Sequence, residues 1–151
     1  VQGLRFEPLL TEELVLVAPG ELLQGRHAVS LAELREVALL LPRSHNYLRK
    51  YVDEAFAALQ MVPKVVAEIE SAATLSAAVA SQVGATVLPA SAARAVAASI
   101  HAHICRIESP AIEVPLALCT SDHLPSSEPA QAVRAVIMEL VDAMVVDLGA
   151  E

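Results

Sequence analysis

With 151 residues, the chain is long enough for one compact domain with a real core. Aromatic residues make up 3% of it and tryptophan is absent, so that core has to be built from Ala, Val, Leu and Ile. The net charge is −8 and the ten basic residues are scattered, with only Arg43, Arg49 and Lys50 close together; this argues against direct DNA binding by these residues.

In chain order, residues 4–18 read as extended, broken near Pro8 and ending at Pro19-Gly20. Ser30-Leu-Ala-Glu33 is a capping box that opens a short helix to about Glu36. The apolar run 37–41 predicts a strand buried on both faces. After Pro42-Arg43-Ser44-His45-Asn46 comes a helix to about Gln60. Its apolar stripe is Leu48, Val52, Ala55, Phe56 and Leu59, while Arg49, Lys50, Asp53 and Glu54 face solvent.

Residues 65–69 predict the next strand. Ser71 caps an Ala-rich helix ending near Gln82, and Gly84 supplies a left-handed stop. Residues 85–88 form a strand closed by Pro89, and Ser91 caps a helix to about Ser99. Strands at 104–107 and 111–118 are separated at Ser109-Pro110. Ser127-Glu128-Pro129 opens a last helix with the stripe Val133, Ile137, Leu140, Met144 and Leu148, ending at Gly149. Alternating strands and helices of this length predict an α/β fold with parallel pairing, in which ligands sit beyond the carboxyl ends of the strands.

The order of these segments resembles the regulatory domain of LysR-type transcriptional regulators. Glu7-Pro-Leu-Leu-Thr-Glu-Glu-Leu-Val-Leu-Val-Ala-Pro19 is similar to the family's crossing from its first regulatory subdomain into its second. Ser30-Leu-Ala-Glu-Leu34 and Leu39-Leu-Leu-Pro42 match its short helix and following strand. Glu68-Ile-Glu-Ser-Ala-Ala-Thr-Leu75 followed by Val79-Ala-Ser-Gln-Val-Gly-Ala-Thr-Val-Leu-Pro-Ala-Ser91 is the most specific stretch. The family usually places a Gly-x-Gly turn there, and Gln82 stands for the first of those glycines. Residues 10–18 and 39–42 are also similar to regulators of nitrogen assimilation or aromatic catabolism.

The resemblance implies a type 2 periplasmic-binding-protein-like fold: one complete Rossmann-like subdomain (13–113) and a partial second one, made of residues 1–12 and 114–151. Thr11, Glu12, Glu113 and Val114 would form the hinge. A small effector, a carboxylate or other anion, would lie in a cleft between the subdomains. Arg43, Ser44 and His45 at the first strand-to-helix turn, and Ser71 and Ala72 at the second, would bind it. The family's N-terminal helix-turn-helix, through which DNA would be bound, has no counterpart in these residues, so an N-terminally truncated regulator is expected.

Helix amino ends suit an anion because their free amides carry partial positive charge. Ser44 adds a hydroxyl, Arg43 a planar fork, and His45 a charge tunable near neutral pH. The plainer reading is that Ser44 and Ser71 are helix caps, Arg43 is solvated and the hinge residues are ordinary strand.

His101 and His103, two apart, would share the face of a strand, but nothing nearby completes a metal set, and no metal site is expected. Cys105 and Cys119 are read as buried thiols in a reducing cytoplasm. Gly20 and Gly84 form no phosphate loop and there is no nucleophile elbow, so neither a cofactor nor an enzyme is expected. No apolar stretch approaches the ~20 residues of a membrane span. A mean hydropathy of +0.52 is high, which points to apolar surface covered by another part of the protein or by a second copy in a homo-oligomer. The alternatives are a solute-binding protein for transport, which would share the fold, and an oligomerisation fragment without a ligand.

Overall fold

The computed structural model describes residues 3–123 and 126–148. The chain divides into two compact units. Unit 2 is Glu12–Val114; unit 1 is made of Val1–Thr11 and Pro115–Glu151.

Unit 2 is a mixed sheet between two helical layers. Its strands are the second half of β1 (Leu4–Ala18), then β2 (Ala28–Ser30), β3 (Leu39–Leu41), β4 (Val65–Glu68), β5 (Ala85–Pro89) and β6 (His103–Glu108). They lie in the order β2-β6-β1-β5-β3-β4. The pairs β3–β4, β3–β5 and β2–β6 are parallel, as expected for strands joined through helical crossovers. β1 departs from that expectation and runs antiparallel to both β5 and β6. No helix returns the chain from β1 to either neighbour, so the crossover rule does not bind it.

Alternation along β1 explains the layers. Leu14, Leu16 and Ala18 point to the face that also buries Leu39, Leu41, Val87, Cys105 and Ile107. That face is covered by α2 (Tyr47–Ala58) through Leu48, Val52 and Phe56, and by the 3-10 turn Leu31–Glu36 through Leu31 and Leu34. Val15 and Val17 point the other way, under Ala93 and Ala97 of α4 (Ala90–Ile100). On the same side Leu40 packs under Leu75 and Val79 of α3 (Ala72–Ala80). Leu39, Leu40 and Leu41 are all fully buried, as an apolar run without alternation requires.

Several local expectations needed correction. β1 is unbroken at Pro8, because proline's fixed φ suits extended chain and removes only one amide. A short helix, α1 (Gly20–Leu23), and β2 are too brief to show periodicity in the sequence. The left-handed residue after α3 is Gln82, at φ +59°, not Gly84. Gly84 is needed for a different reason: a Cβ there would stand 2.6 Å from the backbone oxygen of Ala38. Ser91 does not cap α4 but lies in its first turn, where its amide is taken by Oε1 of Glu12 at 3.1 Å. The capping box at Ser30 forms as expected, with Glu33 also gripped by Arg26 at 2.8 Å.

His101 is the left-handed C-cap of α4, whereas His103 opens β6; the two do not share a strand. Cys105 is buried, but Cys119 is exposed, because β7 (Glu113–Ser121) carries it on an uncovered face.

In unit 1, β7 pairs with β1. Hydrogen bonds at the two ends of the paired segments, Asp122 N to Gly3 O and Leu14 N to Ile112 O, run in opposite chain senses. The long helix α5 (Glu128–Leu148) starts where expected, with Ser127 Oγ accepting the Ala130 amide. Arg134 clasps both carboxylate oxygens of Glu7. The α5 stripe is half-buried at Ile137 and Met144 but exposed at Val133 and Leu140; the side chain of Leu148 and the stop at Gly149 lie outside the described residues. No helix among the described residues is long and apolar enough to cross a membrane.

Candidate functional site

Because β3 and β4 are adjacent and parallel, with Leu41 opposite Glu68, the turns that follow them leave the same edge of unit 2. β5, parallel to β3, ends there too, so α2, α3 and α4 all begin along that edge. The two turns are bonded to each other. Ile69 N donates to Leu41 O at 2.9 Å, and Arg43 N donates to Oε1 of Glu70 at 2.8 Å.

Arg43, Ser44, His45, Ser71 and Ala72 are all exposed on these turns. Asn46, not Ser44, caps α2: its Oδ1 accepts the Leu48 amide at 2.9 Å, which leaves the Ser44 hydroxyl outside the cap. Ser71 does cap α3, accepting from Thr74 N at 3.4 Å. A hydroxyl that accepts still has its own proton to donate, so capping and ligand binding are compatible at Ser71. Ala72 is the first residue of α3 and offers no side-chain bond.

Arg49 shapes the site from beneath. The periodicity of α2 placed it toward solvent, yet its side chain is only 14% exposed. It holds Asp53 at 2.9 Å, Glu68 at 3.1 Å and the carbonyl oxygen of Pro42 at 3.1 Å. Burial weakens its charged form, but the two carboxylates outweigh burial and hold its pKa above the ordinary value. The Pro42–Arg43 peptide is therefore fixed from both sides, its carbonyl by a guanidinium and its amide by a carboxylate. Neither Arg49 nor Glu70 stood out in the sequence, because each acts across 7 to 27 residues of chain.

Thr11 and Glu13 are exposed on β1, and Glu113 is exposed and Val114 buried on β7. Glu12 is buried, with its carboxylate at the start of α4. These positions lie where β1 and β7 pass from one unit to the other.

Residues 1–142 match the model of the LysR substrate binding domain. The chain belongs to the LysR substrate-binding domain family. It is 39% identical over 145 residues to the nitrogen assimilation regulatory protein nac of Klebsiella aerogenes, an alignment covering 93% of this chain and 46% of that protein. The chain thus spans about half the length of the curated relatives it matches. Among solved structures it is similar to the effector-binding domain of QuiR in complex with shikimate, at a TM-score of 0.77 and 19% identity, covering 93% of this chain and 66% of that one. It is also similar to the regulatory domain of Synechocystis PCC6803 CcmR in complex with 2-PG, at a TM-score of 0.78 and 20% identity, covering 92% and 67%. The LysR substrate-binding fold is type 2 periplasmic-binding-protein-like, and the mixed α/β sheet described above is that fold.

Proposed function

We propose that this LysR domain senses a small anionic metabolite at the edge of unit 2 where β3 and β4 end, in a regulator that meets DNA through another part of its protein. The observation that carries this reading is the adjacency of the two strand-to-helix turns. It brings the Ser44 and Ser71 hydroxyls, the Arg43 guanidinium and the starts of two helices to one exposed edge. Arg43 and His45 would supply positive charge, and Ala72 would leave room against the α3 amides. Shikimate and 2-PG, which the similar structures hold, are both anions of this size class.

On the same reading, 13–113 is the second regulatory subdomain, 1–12 and 114–151 belong to the first, and Thr11, Glu12, Glu113 and Val114 serve as the hinge. Binding would shift populations at that hinge. The exposed Val133, Val136 and Leu140 of α5 favour self-association, which light scattering across a concentration series would reveal.

Calorimetry against a panel of small carboxylates and phosphates tests the docking site. A ligand found this way should lose about tenfold or more in affinity in Ser44→Ala, as expected for a hydrogen bond to a charged group. Unchanged affinity in both Ser44→Ala and Ser71→Ala would refute the site.

A further inference from the structure

The same edge already contains an anion. The first amide after β3, that of Arg43, is where an incoming carboxylate would find a donor, and the Glu70 side chain from the neighbouring turn takes it at 2.8 Å. The carbonyl of that same peptide is held by Arg49 at 3.1 Å, so the amide is aimed and cannot easily swing to another acceptor. Arg49 is in turn anchored by Asp53 and Glu68, which fixes the arrangement from below.

We propose that Glu70 is a specificity-determining residue, a tethered carboxylate that competes with the effector for the Arg43 amide. This rests on the reading that the effector is anionic and docks at these turns. A side chain one loop away acts at an effective concentration in the millimolar range or above. A plain carboxylate offering nothing but charge has to displace it and also meets its repulsion. A ligand is held only if it makes further bonds, for example to the Ser44 or Ser71 hydroxyls. Glu70 therefore sets a threshold that screens out the simple carboxylates abundant in any cell. It is a selector at the site rather than an additional site.

The test uses 15N-labelled chain and sodium acetate as the probe, with sodium chloride at equal ionic strength as control. Amide resonances of residues 43–46 and 71–74 are followed during titration. Removing the competitor in Glu70→Ala should lower the acetate concentration needed for half-response about tenfold. Glu70→Gln, which keeps an acceptor but not the charge, should fall between.

Equal responses in the unmodified chain and Glu70→Ala would overturn the role of Glu70. If Ser44→Ala still abolishes the acetate response in that case, the docking site survives without the selector. If acetate moves none of these amides in any variant, the docking site falls and the selector falls with it.

Discussion

Gln82 and Gly84 hold positions whose demands are the reverse of what their side chains lead one to expect. Gln82 adopts φ +59°, a region that costs a side-chain-bearing residue roughly 1–2 kcal/mol, while Gly84 is required only by the nearness of Ala38. Gln82→Gly should therefore stabilise the chain by about 0.5–1 kcal/mol, less than the full relief because glycine gains entropy when unfolded. Urea unfolding with no gain in midpoint would contradict this. Glu33 offers a second test at the same scale. The bond from Arg26, followed by those from the Ser30 backbone and hydroxyl, lowers its pKa from 4.5 to about 2. A lowered folded-state pKa stabilises the native state above the unfolded value and loses that contribution as pH falls toward the folded value. The Ser30–Glu33–Arg26 cluster should thus weaken between about pH 4.5 and pH 2, and acid unfolding of Glu33→Gln should show a shallower slope in that window.

At the level of elements, the helix starts along the edge of unit 2 where β3, β4 and β5 end are finished in three different ways. α2 uses its own Asn46, α3 its own Ser71, and α4 borrows the carboxylate of Glu12 from β1. The first two are local and lie in turns readable from the sequence, although the sequence reading there puts the cap of α2 at Ser44 and not at Asn46. The third joins residues 79 apart and had no local signal. Since Glu12 is buried and faces the positive end of α4, Glu12→Ala should cost about 1–2 kcal/mol. Glu12→Gln, which keeps an acceptor, should cost clearly less. Chemical denaturation of the pair separates the cap from a mere loss of packing.

The two units of the whole molecule differ in how much they bury. Unit 2 contains Leu39, Leu40, Leu41, Val52 and Phe56 at complete burial, whereas no described residue of α5 is buried. Amide exchange should accordingly be slowest in β3 and β5 and markedly faster along α5, and protection of α5 equal to that of β3 would disprove the comparison. The cysteines follow the same division. Burial pushes the Cys105 thiol up from its ordinary value, while Cys119 lies exposed on β7. An alkylating reagent at neutral pH should modify Cys119 in the native protein and reach Cys105 only on unfolding.

The strands other than β2, the periodicity of the longer helices and the turns at 43–46 and 69–72 were legible in the residues, because apolar period and capping chemistry act within a few positions of the chain. They also carried the family resemblance. The antiparallel course of β1, the partial burial of Arg49, the cap of α4 by Glu12 and the Glu70 carboxylate on the Arg43 amide were settled only by folding. Each joins groups that the sequence separates and the sheet brings together. Charge and hydrogen bonding depend on distance in space, and distance along the chain leaves it undetermined.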